Sequence, residues 1–242
     1  MNVETQNTFP TETVELPSKG LIYPPNHPLR SGKVEVKYMT AKEEDILTNQ
    51  NLINKGTVLD KLIEELTLKK FDIKDVCVGD KNAIFLAARI LGYGSEYKFQ
   101  YNEKDHVINL SDLEPKFFDE SLIDENGHFS FQFPKSQINI KFRILTEKDE
   151  ENIEKEIKSL SKISSGSGDV TTRLRYHIVS LEGDTDKGKN KNFVDNHLLA
   201  QDSRALRNYI KEVSPNIDFE YTLDTGETIE IPISLGFFWP DL

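Results

Sequence analysis

The sequence of 242 residues predicts an α+β fold: a helical core with an inserted small antiparallel β-sheet, a C-terminal β-hairpin and an extended N-terminal arm. Three observations predict this class. Apolar residues recur at helical spacing over 39–94 and 146–216, whereas apolar and polar residues alternate over 95–145 and in 217–242. Residues 1–38 are instead punctuated by proline and glycine, which favour extended and turn conformations.

The N-terminal arm covers residues 1–38. Its segment "ETVELPSKGLIYPPNHPLRSG" contains Pro17, Pro24, Pro25 and Pro28. Because proline fixes φ and lacks an N–H donor, the segment favours extended or turn structure over helix. Apolar and polar residues then alternate over 33–38, which predicts a short strand at the end of the arm.

Three helices are predicted in the region 39–94. Thr40 and Glu43 have the spacing of a capping box that starts the first helix. An apolar stripe over 57–68 indicates the second helix. Asp80 is predicted to cap the third, which is apolar nearly all round, so we expect it to be the central buried helix.

The region 95–145 predicts the inserted sheet. The segments "EYKFQY", "HVINL", "HFSFQF" and "INIKFRI" alternate with period two, and "DENG" is a turn signal. In the region 217–242, "DFEYTLDTGETIEIPI" predicts a hairpin, which the aromatic tail "GFFWPDL" follows.

The region 146–216 is predicted to return to helix. Thr146 and Asp149 form a second capping box, and "SSGSG" (164–168) is typical of a flexible joint. A helix with Leu174, Ile178 and Leu181 on its apolar face is expected next. A final helical stretch is predicted over 193–213, with a second cap at Asp202.

The composition excludes several kinds of partner. Charged residues make up 29% of the chain, hydrophobic residues 37%, and the net charge is −11. A chain this acidic is not expected to bind nucleic acid or an anionic membrane surface, because both need a surplus of Lys and Arg. Without a secretory leader or an apolar run long enough to cross a bilayer, the chain is expected in a reducing cytoplasm or in a particle assembled there.

Residue chemistry does not indicate an enzyme. The sequence has no Walker-type loop, HExxH or GxSxG motif, and its five histidines are scattered without ligand spacing. The single cysteine, Cys77, is expected to be a buried apolar residue. Asp202 is expected to cap a helix or to pair with Arg204 or Arg207, and Arg89 to lie in a buried ion pair. The sequence therefore predicts no catalytic site, no metal and no cofactor.

Eight segments, in order along nearly the whole chain, carry a resemblance to a known family. They are "LPSKGLIYP", "YMTAKEEDIL", "LINKGTVLDKLI", "GDKNAIFLAARILGYGSEY", "FRILTEKDEENI", "LLAQDSRALRNYI", "VSPNID" and "FFWP". Together they resemble the baseplate hub subunit family of T-even-type contractile-tailed bacteriophages (myoviruses).

The resemblance implies a structural role. It implies a late protein, present in the host cytoplasm during assembly and then in the virion tail baseplate, that contacts other baseplate and tail proteins. Two alternatives are a transient assembly chaperone absent from the mature virion and, from another class, a cell-wall hydrolase. The hydrolase is disfavoured because no paired catalytic carboxylates or metal motif occur in the sequence.

The chain departs from the family at one point. Many relatives carry Cys-x-x-Cys pairs in the central sheet and the late hairpin, in the manner of a structural zinc site. Here the corresponding stretches, "FQYNEKDHV" and "YTLDTGE", contain no cysteine, so a four-thiolate site cannot form. The resemblance therefore implies that the two β regions pack directly on each other, with Tyr101 and Tyr221 in place of the metal.

The arm and the aromatic tail are the predicted protein-binding segments. We expect Trp239 to be mostly buried and Pro240 to end the ordered chain, with the two preceding phenylalanines packed partly on their own domain and partly on a neighbour. The candidate binding residues are Leu16, Pro17, Leu21, Ile22, Tyr23, Phe237, Phe238, Trp239 and Pro240.

Overall fold

Helices and short antiparallel strands share the chain, which confirms the α+β class. The structure is a computed structural model that describes residues 10–117, 119–162, 168–223, 225–231 and 233–238. The helices in these residues are α1 (Ala41–Leu47), α2 (Gln50–Lys55), α3 (Val58–Leu66), α4 (Val78–Tyr93), α5 (Glu147–Leu160), α6 (Asp169–His177), α7 (Lys187–Asn196), α8 (Ala200–Val213) and α9 (Leu235–Phe238). The strands are β1 (Thr11–Glu15), β2 (Lys33–Lys37), β3 (Glu96–Tyr101), β4 (Lys104–Asn109), β5 (Pro115–Lys116), β6 (Phe129–Gln132), β7 (Asn139–Phe142), β8 (Ile178–Leu181), β9 (Asn216–Ile217), β10 (Glu220–Thr222) and β11 (Thr228–Glu230).

The strands form small separate sheets in the described part of the chain. β1 pairs with β2, β3 with β4, β5 with β9 and β10 with β11, and the order β6–β7–β8 makes the one sheet of three strands. The predicted inserted sheet is thus divided between different sheets. The helix predicted to include Ile178 and Leu181 is wrong beyond α6, because these residues form β8. Buried and half-buried residues alternate along β8, which pairs with β7. The three-residue spacing of Ile178 and Leu181 did not distinguish a strand from a helix.

Two hydrophobic cores organise these elements. The first core lies around α4, which contacts α3, β1, β2, β9 and α9, as expected for the central helix. Its fully buried members include Leu16, Val36, Leu62, Ile63, Leu66, Ile84, Ala88, Leu110, Phe237 and Phe238. The second core lies between the three-stranded sheet and α6, α7 and α8, and includes Phe129, Phe133, Phe142, Leu174 and Leu206.

The arm is folded onto the first core. β1 and β2 pair over their whole length, from Thr11 opposite Lys37 to Glu15 opposite Lys33. The intervening loop, residues 16–32, is closed at its base by a hydrogen bond of 2.9 Å from the Leu16 N–H to the Gly32 carbonyl. The described part of the arm is therefore extended within its strands but paired and packed, because its apolar residues find cover on α4.

Helix boundaries follow local capping signals where these exist. The boxes at Thr40 and Thr146 start α1 and α5 as predicted. Asp80 is not the N-cap of α4, since the helix begins after Cys77 and Asp80 lies in its first turn. The stretch predicted over 193–213 divides into α7 and α8, and α8 begins at Ala200 rather than at Asp202.

The start of α4 packs tightly against the chain near β9. A Cβ atom added to Gly79 would lie 1.9 Å from the carbonyl oxygen of Pro215, a backbone atom that cannot turn away. We expect Gly79→Ala to lower the free energy of unfolding by roughly 1–3 kcal/mol, measured by urea denaturation.

Gly92 provides the matched control in the same helix. Its added Cβ would lie 2.7 Å from the Met39 sulfur, the flexible end of a side chain. Alanine also favours helix over glycine by about 1 kcal/mol, so Gly92→Ala should cost much less than Gly79→Ala. Equal losses in the two variants would contradict the packing described for Gly79.

Candidate functional site

The buried carboxylate of Asp80 joins the arm to the central helix. Its Oδ1 accepts a hydrogen bond of 2.9 Å from the Ser18 N–H, and its Oδ2 accepts bonds of 2.5 Å from Ser18 Oγ and 2.6 Å from Tyr23 OH. Asp80 is fully buried, and its place in the first turn of α4 suits a negative group. The segments "LPSKGLIYP" and "GDKNAIFL" are therefore joined through one side chain.

The polar groups around Asp80 form structural hydrogen bonds with one another. Tyr23 OH accepts from the Cys77 N–H at 3.3 Å while it donates to Asp80. Burial raises the pKa of Asp80, although the bonds from Ser18 and Tyr23 oppose the shift. Burial also raises the pKa of the Cys77 thiol well above its usual value, with the Asp80 charge adding to the effect. Cys77 is thus an unreactive buried residue, as predicted.

Exposed apolar groups lie on a second segment, residues 117–122, which Lys19 of the arm loop contacts. Lys19 Nζ lies 2.6 Å from Glu120 Oε1 and 5.2 Å from the centre of the Phe117 ring. Phe117 is 45% exposed and Leu122 41%. We call Lys19, Phe117, Glu120 and Leu122 the arm-loop face. Lys19 joins this face to the same loop whose Ser18 and Tyr23 bond to Asp80.

The predicted binding residues of the arm mostly point inward. Leu16, Pro17 and Tyr23 are buried in the first core, and Leu21 and Ile22 are partly buried. Ile22 packs against both cores, and Leu21 against the second. A partner could contact the buried side chains only after displacing the loop, so the accessible surface here is the arm-loop face.

The tail residues that the structure describes are also internal. Phe237 and Phe238 are both fully buried. Phe238 meets the edge of Phe85 at 5.8 Å, and Phe237 lies 5.2 Å from Tyr97. The two phenylalanines are covered entirely by their own chain, rather than shared with a neighbour as expected. Trp239 and Pro240 lie outside the described residues.

Arg89 fastens the tail to the central helix. Its Nε donates to the Phe237 carbonyl at 2.8 Å, Nη1 to Gly94 at 2.8 Å and Nη2 to Glu96 at 3.2 Å, all backbone oxygens. Burial lowers the pKa of Arg89, while the nearby Tyr97 counteracts the shift. The predicted buried ion pair is therefore wrong, because the Arg89 guanidinium donates its hydrogen bonds to backbone carbonyl groups.

Aromatic contacts join β3 and β4 to the hairpin of β10 and β11. The Phe99 ring meets the edge of Tyr221 at 5.9 Å and stacks on His106 at 5.4 Å. Tyr101 OH donates to Glu227 Oε1 at 2.7 Å. The expected packing of the two regions, with Tyr101 and Tyr221 at the contact, is confirmed. The sequence interpretation did not identify Phe99 and His106 as contact residues, although both lie in the stretch "FQYNEKDHV".

A second polar joint lies at the start of α5. Arg143 Nη1 and Nη2 donate to the two oxygens of Asp149 at 2.7 and 2.8 Å, and Asp149 also accepts from the Thr146 N–H at 2.9 Å. His177 Nδ1 lies 2.8 Å from the Arg143 carbonyl, to which it donates. Burial lowers the pKa of His177 to about 4.

Asp202 is occupied by backbone groups. It is fully buried, and its two oxygens accept from the N–H groups of Lys135 at 2.8 Å and Ser136 at 3.0 Å. Asp202 thus stabilises the turn between β6 and β7. The expected cap or pair with Arg204 or Arg207 is wrong, and among the described residues no base or nucleophile bonds to this carboxylate.

The described ranges contain no group of metal ligands and no helix that could cross a membrane. Among these residues, no three His, Cys, Asp or Glu side chains are grouped so that they could hold a metal ion. In the same part of the chain, no helix is both long and apolar enough to cross a membrane. The chain matched no protein-family model, no curated protein and no solved structure.

The half-buried His177 predicts a specific pH dependence of stability. A neutral His177 is favoured in the folded state, whereas the unfolded chain binds its proton near pH 6.5. The contribution of His177 to the free energy of unfolding is therefore fully present above pH 6.5, and it is lost as the pH drops towards 4. From the pKa of about 4, this loss is on the order of 3 kcal/mol.

His177→Asn keeps an N–H donor near the Arg143 carbonyl but cannot gain a proton. We expect its unfolding free energy to fall less than that of the wild type between pH 7 and 4.5, measured by urea denaturation. Identical falls in the two proteins would show that His177 does not titrate between these limits.

Proposed function

We propose that this chain is a structural subunit of a phage tail baseplate, in or next to the hub, that acts through protein–protein contacts. The observation that carries the proposal is where the resembling segments meet. "LPSKGLIYP" meets "GDKNAIFLAARILGYGSEY" at Asp80, and the same helix meets "FFWP" through Arg89 and Phe237. The resemblance thus covers the residues that define the fold, beyond isolated surface positions.

The use of the buried polar groups supports a structural role. Asp80, Arg89 and Asp202 each bond to groups that are distant in sequence, and these bonds hold elements of the chain together. A hydrolase with Asp202 as its acid gains no support, since both oxygens of Asp202 already accept backbone N–H groups. A protein whose buried charges serve its architecture suits a role in assembly.

The arm-loop face is the contact surface that we propose for baseplate partners. Its two apolar side chains, Phe117 and Leu122, are more than two-fifths exposed, and the ion pair of Lys19 with Glu120 lies beside them. Apolar groups within a polar rim are typical of the centre of a protein interface. Ser18 and Tyr23 fix the loop that carries Lys19, so this part of the face is held in place before a partner arrives.

The proposal is tested by complementation of a phage from which the gene for this chain has been deleted. Wild-type chain supplied from a plasmid should restore infectious particles. We expect Phe117→Asp with Leu122→Asp to lower their yield at least about tenfold, because a buried interface does not tolerate two new charges. The purified variant should unfold at nearly the wild-type temperature, since both side chains are exposed.

Leu68→Asp with Leu199→Asp is the control, with the same charge change at two leucines that are 44% and 45% exposed on other elements. It should restore particles fully. A normal yield from the Phe117 and Leu122 variant would reject the arm-loop face, and normal baseplates without any chain would reject the proposed function. Mass spectrometry of purified particles separates a retained subunit from a transient chaperone, which would be absent.

A further inference from the structure

A cleft in the second half of the chain has a composition unlike the rest of this acidic protein. Its volume is about 690 Å³, and it lies between α5, α6, β8 and the start of α7. Clefts of this size take a small ligand or a short length of peptide. The cleft shares none of its residues with the arm-loop face, so the role proposed above leaves it unused.

The cleft lining has a surplus of positive charge. Arg143, Arg175, Lys187 and Lys191 line it together with two acidic residues. Those two acids are already engaged: Asp149 with Arg143 at 2.7 Å, and Glu156 with Arg175 at 2.8 Å.

The two lysines remain available. Within the described part of the chain, no ion pair joins Lys187 or Lys191 to another residue. A chain with a net charge of −11 thus presents a cleft with two uncompensated cations. Such a local field favours an anionic ligand over a cationic one.

Two of the residues that line the cleft carry polar atoms that lack partners. Among the described residues, Arg175 Nε and Asn190 Oδ1 are buried without a hydrogen bond, and Asn190 is only 4% exposed. Asn190 Nδ2 is held by the Val179 carbonyl at 3.3 Å. A free N–H donor and a free oxygen acceptor are the complement of a peptide group, which offers a carbonyl and an N–H.

We propose that this cleft binds an extended acidic segment of a partner protein. Asp or Glu side chains of the segment would pair with Lys187 and Lys191. Its main chain would lie along the apolar wall of Tyr176 and Ile178. It would form hydrogen bonds with Asn190 Oδ1 and Arg175 Nε once these two side chains adjust. A small anion would leave this wall uncovered, and the overall charge opposes a nucleic acid.

The inference rests on the proposed function only in taking the partner to be a protein of the same assembly. Binding of an acidic peptide can be measured with the purified full chain alone. A failed phage complementation and a failed peptide titration are therefore separate results.

The test is a fluorescence anisotropy titration of a fluorescein-labelled hexaglutamate peptide at low ionic strength, with labelled hexalysine for comparison. We expect hexaglutamate to bind through the cleft. Lys187→Glu with Lys191→Glu should weaken its affinity at least about tenfold, because attraction becomes repulsion at the cleft. Lys187→Gln with Lys191→Gln, a milder change, should weaken it less.

The control is Lys42→Glu with Lys55→Glu, two exposed lysines on α1 and α2 that change the net charge by the same amount. Its affinity for hexaglutamate should stay within about twofold of the wild type. Equal weakening in the two charge-reversal variants, no binding of hexaglutamate, or its complete displacement by an equal concentration of inorganic phosphate would each overturn the proposal.

Discussion

The hydrogen bonds to the Asp80 carboxylate are the constraint on which the rest of the first core depends. They tie the arm to the first turn of α4, and the arm then covers that helix with Leu16 and Val36. A buried carboxylate is costly unless donors surround it, and Ser18 and Tyr23 supply three. Loss of any of these donors would leave the buried Asp80 carboxylate with fewer hydrogen bonds. The three bonds therefore specify the position of the arm strongly.

The C-terminal residues are held by a positively charged side chain of the same helix, Arg89. Arg89, less than three turns further along α4, holds the Phe237 carbonyl and thereby positions Phe237 and Phe238 in the core. One helix therefore receives both the N-terminal hairpin and the C-terminal aromatic residues. The aromatic residues therefore belong to the chain's own core, and the surfaces that we propose for partners are the arm-loop face and the basic cleft.

The sequence predicted features whose cause is local. The caps at Thr40 and Thr146, the apolar α4 and the alternating strands were all recognisable from neighbours a few residues apart. The bonds of Asp80 to Ser18 and of Arg89 to Phe237 were not, because they join residues 62 and 148 positions apart. The strand at Ile178 was missed for the same reason, since pairing with β7 decided between two compatible patterns. The cleft could not be predicted from the sequence because its Arg and Lys side chains come from separate elements.

The central claim is that Asp80 and the arm stabilise each other through Tyr23, and a double-mutant cycle tests it most directly. The cycle compares Tyr23→Phe, Asp80→Asn and the double variant with the wild type, by urea denaturation at pH 7. The account predicts a coupling free energy of about 1–3 kcal/mol, as for a buried hydrogen bond to a charged group. A coupling within about 0.3 kcal/mol of zero would mean that the two residues act independently, and it would contradict the account.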